Sequence, residues 1–161
     1  MLDTKFSTQY EIGDSRTAAL RHAIQQLIAD LRIAAEKAQT YTWNVDSAPY
    51  GPAERLFREI ALDHFDGQDD AAERLRALGA YAEGRQSALR AISRLSESAA
   101  HIGETEMAEE IRGDQMSLAE ACRRLAAQAL EDDDGATADL AAERARRHEA
   151  FAARLRMVAH D

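Results

Sequence analysis

Apolar residues recur along this chain at spacings of three and four over four long stretches, which is the period of an amphipathic helix and not of a strand. The first stripe reads Leu20, Ile24, Leu27, Ile28, Leu31, Ala35, Ala38; it starts after "GDS", where Asp14 or Ser15 suits a helix cap, and ends around Trp43 to Val45. The second follows "DSAPYG", where Pro52 suits a first helical turn, and reads Leu56, Phe57, Ile60, His64, Ala71, Ala72, Leu75, Leu78 up to Gly79. A third, from about Glu104 to Glu131, turns Met107, Ile111, Leu118, Cys122, Leu125 and Leu130 inward. The fourth, from about Ala136 to Ala159, does so with Leu140, Ala141, Ala145, His148, Phe151, Leu155 and Val158. Residues 80–103 are too many for a tight helix hairpin, and Leu89, Ile92 and Leu95 predict one short helix within a long crossover.

Two helices, a long crossover and two more helices form the connectivity of an all-α, ferritin-like four-helix bundle, in which the second and third long helices run parallel. The expected organisation is an N-terminal arm over residues 1–14 and one bundle domain over 15–161. Glycine and proline are scarce, which agrees with helices nearly throughout. The chain carries 29 acids against 20 bases, a net charge of −9 that repels nucleic acid and anionic membrane surfaces. No stretch approaches the roughly 18 unbroken apolar residues of a membrane span, and "MLDTKFSTQYEIGD" lacks the apolar core of a secretion signal. A single cysteine, Cys122, on an apolar stripe fits a reducing compartment, so a cytoplasmic location is expected.

Bundles of this class hold iron with carboxylates and histidines spaced one helical turn apart on inward faces, because hard iron ions prefer oxygen and imidazole donors. The second helix offers Glu54 with Arg58 and Asp69 with Glu73, both at i, i+4. The first pair is acid and base. The second stacks two carboxylates that repel unless a cation lies between them.

From Tyr41 to Gly79 the stretches "YTWNV", "YGPAERLFRE" and "DDAAERLRALG" stand at the spacing found in the Dps family of mini-ferritins, which this chain resembles. Weaker likeness extends through "ISRLSES" and "DDDGATADLAAERARRHEAF". The resemblance implies a hollow homo-oligomer, in that family a dodecamer, which sequesters iron and protects against oxidative stress, with a ferroxidase centre shared across a two-fold interface. Position by position, Thr42 stands where a ligand histidine precedes the family's tryptophan, here Trp43. Glu54 replaces the next histidine, Arg58 the aspartate after it, and Asp69 and Glu73 match the ligands from the neighbouring subunit. Three of the five positions have changed, and threonine is a poor iron ligand while Arg58 puts a permanent cation in the site.

Two readings follow for that site. Glu54, Asp69 and Glu73 form an altered, all-carboxylate iron site, or Arg58 pairs with Glu54 and the partner's acids and neutralises the cluster without metal, which the chemistry favours. Ferroxidase activity follows only from the first, and no residue is assigned as catalytic. The alternative is a ferritin-like structural shell that has lost iron oxidation. Iron is the only cofactor either reading brings in. Glu59 and Asp63, with Asp66, are candidate acids of an inner cage wall, and Asp132 and Asp133 in "EDDDG" are candidate pore acids or an exposed helix end. His64 and His148 fall on inward faces and read first as hydrogen-bonded core histidines; His22, His101 and His160 share no ligand spacing. Tyr41 and Tyr50 read as packing residues with a polar tip. The family's DNA binding often uses a lysine-rich arm, and here Lys5 is the arm's only lysine, so no direct DNA binding is expected.

Overall fold

A computed structural model describes residues 15–47, 49–98 and 101–159. The arm expected over residues 1–14, with Asp14 and Lys5, and also His160 lie outside them. The described residues form five helices: α1 Ser15–Asn44, α2 Pro52–Ala77, α3 Gln86–Ile92, α4 Glu104–Glu131 and α5 Gly135–Val158. The pairs α1 with α2 and α4 with α5 pack most extensively, α1 also meets α4 and α3, and α2 meets α5.

The core divides into two apolar clusters. One joins the N-terminal half of α1 (Leu20, Ile24, Leu27, Leu31) to the C-terminal parts of α2 and α4 (Leu75, Leu118, Cys122, Leu125) and the start of α5. The other joins the C-terminal end of α1 (Ala38, Tyr41) to the first turns of α2 and α4 (Phe57, Ile60, Met107, Ile111) and the end of α5 (Phe151, Leu155). Because the starts of α2 and α4 share one cluster, these helices run parallel, as the long crossover requires. Each fully buried Leu, Ile or Phe contributes about 1.5–3 kcal/mol, so the two clusters are the main source of stability.

The turns follow from local chemistry. Near the end of α1, Thr40, Thr42 and Asn44 hydrogen-bond back to the carbonyls of Glu36, Ala38 and Thr40, which carries the helix through Trp43. Gly51 then caps α2 with extended backbone, and a Cβ there would lie 2.6 Å from the Ser47 carbonyl, so glycine is required. Pro52 occupies the first turn as expected. In "EDDDG", Asp132 is the residue after α4, Asp133 takes a left-handed turn at φ 56°, and Asp134 caps α5 by accepting from the Thr137 amide. Arg74 of α2 also pairs with Asp134 at 2.8 Å, tying this turn to the bundle.

The crossover is held down by polar groups that lie outside the apolar stripes. Buried Asp30 of α1 accepts from the Arg94 amide and guanidinium and from the Ser93 hydroxyl, and Gln25 exchanges hydrogen bonds with the Glu83 backbone. Two side-chain assignments need correction. Leu130, expected inward, is 66 % exposed, because α4 is in its last turn and the chain has already turned towards α5. Tyr50, expected to pack, is 77 % exposed at φ 73°, where the turn into Gly51 points it away from the bundle.

One close approach sets up the bundle centre. A Cβ at Gly67 of α2 would lie 2.8 Å from the guanidinium carbon of Arg144, so the absence of a side chain there makes room for an arginine between helices. Gly67→Ala is therefore expected to lower stability by about 1–3 kcal/mol, against the gain that alanine normally brings to a helix interior. A urea midpoint equal to that of the parent would show that Arg144 moves aside freely.

Candidate metal centre

Glu54 is buried in the first turn of α2, and Arg58, one turn on, is half exposed and lies over it. Arg58 donates from Nε at 3.0 Å and from Nη2 to the same oxygen, Oε1 of Glu54. A carboxylate clasped this way already has its counter-charge, so a divalent ion there competes with a covalently attached cation. Thr42 is buried, and its hydroxyl is committed to the Ala38 carbonyl at 2.9 Å. Trp43, beside it, is 67 % exposed on the single chain. Asp69 and Glu73 are exposed on α2 and make no ion pair among the described residues, so the chain itself does not bring them onto Glu54.

The candidate wall acids are also engaged by arginines. Glu59 receives both Nη groups of Arg154 at 2.6 Å each, and this hydrogen bonding holds its carboxyl below the usual range. Asp63 receives Arg144 at 2.5 Å and Arg147 at 2.8 Å. Burial pushes the Asp63 carboxyl up, but hydrogen bonds from His64, Arg144 and Arg147 outweigh it and hold the group far below the carboxylate range. Asp132 and Asp133 lie in the α4–α5 turn, the first half-buried and the second exposed. Among the described residues no three His, Cys, Asp or Glu side chains are placed to hold a metal ion.

Between the two apolar clusters lies a buried polar layer. His64 and His148 are fully buried, with ring centroids 5.1 Å apart in an edge-to-face arrangement. Gln115 of α4 bridges them: His148 Nδ1 lies 2.8 Å from Gln115 Oε1, and Gln115 Nε2 lies 2.9 Å from His64 Nε2. The direction of this chain is fixed at one end. An ionised Asp63 can only accept, so His64 Nδ1–H donates to it (3.4 Å), His64 Nε2 accepts from the amide, and the amide oxygen accepts from His148 Nδ1–H. His148 Nε2 is then a bare acceptor, buried and without a partner among the described residues, and Arg144 Nε–H is a buried donor in the same condition. Burial lowers the pKa of both imidazoles, with the Arg144 charge acting in the same direction and Asp63 acting against it, and the neutral form is favoured at both. Lys37 and Asp114 add a buried pair across α1 and α4 at 2.9 Å.

Arg144 and Gln115 are not among the sequence candidates, yet both interrupt apolar stripes. Arg144 sits four residues from Leu140 and His148, and Gln115 sits between Ile111 and Leu118. A polar residue in register with a buried stripe signals an internal network. Cys122 is buried, and burial pushes its thiol up to about 11, which makes it inert. Among the described residues no helix is long and apolar enough to cross a membrane.

The sequence profile of the ferritin-like domain family matches residues 21–160. A search of curated protein sequences finds no match. Among solved structures, a Dps protein from Bacillus brevis superposes with a TM-score of 0.84 at 21% identity, covering 91% of this chain and 98% of that one. A Dps protein from Vibrio cholerae O1, described as a member of a broad superfamily of ferritin-like diiron-carboxylate proteins, gives 0.81 at 21% identity, covering 89% and 90%. A dodecameric thioferritin, the bacterioferritin-related protein of Bacteroides fragilis, gives 0.84 at 14% identity, covering 90% and 86%. At these identities the superpositions establish a shared fold.

Proposed function

The chain belongs to the ferritin-like family, and on that footing we propose that it works as a Dps-like mini-ferritin whose ferroxidase centre is impaired. It assembles into a hollow, cytoplasmic homo-oligomer, a dodecamer by the likeness, that sequesters iron and protects against oxidative stress without binding DNA directly. The observation that carries the impairment is the clasp of Arg58 on Glu54, with Thr42, a poor iron ligand, where the family resemblance places a histidine. In the assembled shell Asp69 and Glu73 of a neighbouring protomer complete the site, and the Arg58 guanidinium stands in for metal charge.

A second reading, a shell that has given up iron chemistry, is favoured by the engagement of Glu59 and Asp63, since the acids that would collect iron on an inner wall are each neutralised by α5 arginines. One experiment addresses both. Purified protein is mixed with Fe(II) and hydrogen peroxide, and oxidation and retained iron are followed beside a buffer blank and the variant Thr42→His/Glu54→His/Arg58→Asp. The parent should oxidise iron near the blank rate, and the variant about tenfold faster or more, as recovery of missing ligands implies. Fast oxidation by the parent would show that Glu54, Asp69 and Glu73 work despite Arg58. Slow oxidation with iron still retained supports the impaired mini-ferritin, and no retained iron supports the inert shell.

A further inference from the structure

In ferritin-like di-metal bundles, two helices each give a Glu-x-x-His pair to the bundle centre and the other two each give a Glu. This chain keeps the outline of that set at its own centre. α2 reads Ala61-Leu62-Asp63-His64 and α5 reads Ala145-Arg146-Arg147-His148, so both histidines are present and both are preceded, three residues earlier, by a buried alanine. α4 contributes Gln115, an amide, between the rings. On α1, the buried acid Asp30 is taken up by Ser93 and Arg94 of the crossover. The remaining carboxylate near the rings, Asp63, is held by two guanidiniums, and one of them, Arg144, is buried against Gly67. Two neutral imidazoles and an amide beside a buried cation do not fit a di-iron centre, which needs several carboxylates to balance its charge.

We infer that the centre of this bundle is a carboxylate–histidine metal site with its carboxylates removed and its cation built in. Ala61 and Ala145 stand where the carboxylates would be, and Arg144 supplies the positive charge against Asp63. The relay from His148 through Gln115 and His64 to Asp63 is the hydrogen-bonded lock that takes the place of metal coordination. The bundle therefore folds and assembles with no metal at its centre, whatever happens at Glu54. His148 Nε2, buried and unpartnered among the described residues, is the coordination position that this conversion leaves over.

The test uses the full chain and Co(II) as probe, by equilibrium dialysis and visible absorption. The parent should show no Co(II) binding that depends on His148. Ala61→Glu/Ala145→Glu/Arg144→Leu should bind Co(II) at least about tenfold more tightly, and should lose it again when His148→Ala is added. Parent binding that disappears in His148→Ala but survives in Glu54→Ala would overturn the inference, and that pair of controls separates this centre from the one at Glu54. A triple variant that keeps its helical circular dichroism yet takes up no Co(II) would also overturn it. Should the triple variant not fold, the parent and its His148→Ala control decide alone: no His148-dependent binding upholds the lock, and such binding refutes it.

Discussion

Arg144→Met should destabilise the protein by about 3 kcal/mol, the low end of what removing one partner from a buried ion pair costs. The substitution keeps most of the side chain's bulk against Gly67, so the loss is electrostatic more than steric. It leaves Asp63 with Arg147, a half-exposed arginine whose charge is partly screened by water, and with the long contact from His64. Asp63 would then have its ordinary burial penalty with less to offset it. The double variant Asp63→Leu/Arg144→Met removes both charges and should recover most of the stability, since apolar replacement of a whole buried pair is often neutral. Urea unfolding of the parent, both single variants and the double variant closes the cycle. A coupling between Asp63 and Arg144 below about 0.5 kcal/mol would mean that the pair behaves like a surface contact, and that the guanidinium does not organise the bundle centre.

The helix count, the crossover and the parallel course of α2 and α4 were legible because they rest on period and length, which single residues do not disturb. Helix ends were legible where a residue has one backbone role, as at Pro52 and Glu131. The turn residues were less so. Tyr50 and Leu130 lie at helix ends where the stripe still predicts burial although the neighbouring helix has already diverged. Thr42, Glu54 and Arg58 were singled out only by what the resemblance to the Dps family implies, and the engagement of Glu59 by Arg154 and of Asp63 by Arg144 joins residues more than eighty positions apart, a pairing on which periodicity carries no information. The polar layer was half visible. His64 and His148 fall on inward faces by spacing, while Gln115 and Arg144, which complete their network, are long polar side chains of types that usually face water, and only their register with the stripe marks them as buried.

Between pH 7.5 and 5.5 the protein should lose stability steeply, and the two buried histidines are the reason. Each is neutral in the folded chain, with a pKa lowered from 6.5 by burial and by neighbouring positive charge. The unfolded chain takes up protons on both as pH falls through about 6.5, while the folded chain takes them up only at lower pH, so the unfolded state binds more protons in between and stability falls with pH. The loss begins near the unfolded value and continues down to the lowered folded values; its slope approaches about 1.4 kcal/mol per pH unit for each histidine, or roughly 2.7 for both. Other groups act elsewhere or with opposite sign. Asp63 and Glu59, held low by their arginines, contribute stability above the usual carboxylate range that is lost only in stronger acid. Asp114, raised by burial, takes a proton in the folded state before the unfolded one and so restores some stability as pH drops towards the ordinary carboxylate range. The steep segment therefore belongs to His64 and His148. Urea midpoints at fixed protein concentration should drop across it, and His148→Leu should reduce the proton uptake by one and flatten the slope by about half. A midpoint that stays level from pH 7.5 to 5.5 would mean that one or both imidazoles are already charged, or reach water, in the folded bundle, and the relay to Asp63 would have to be redrawn.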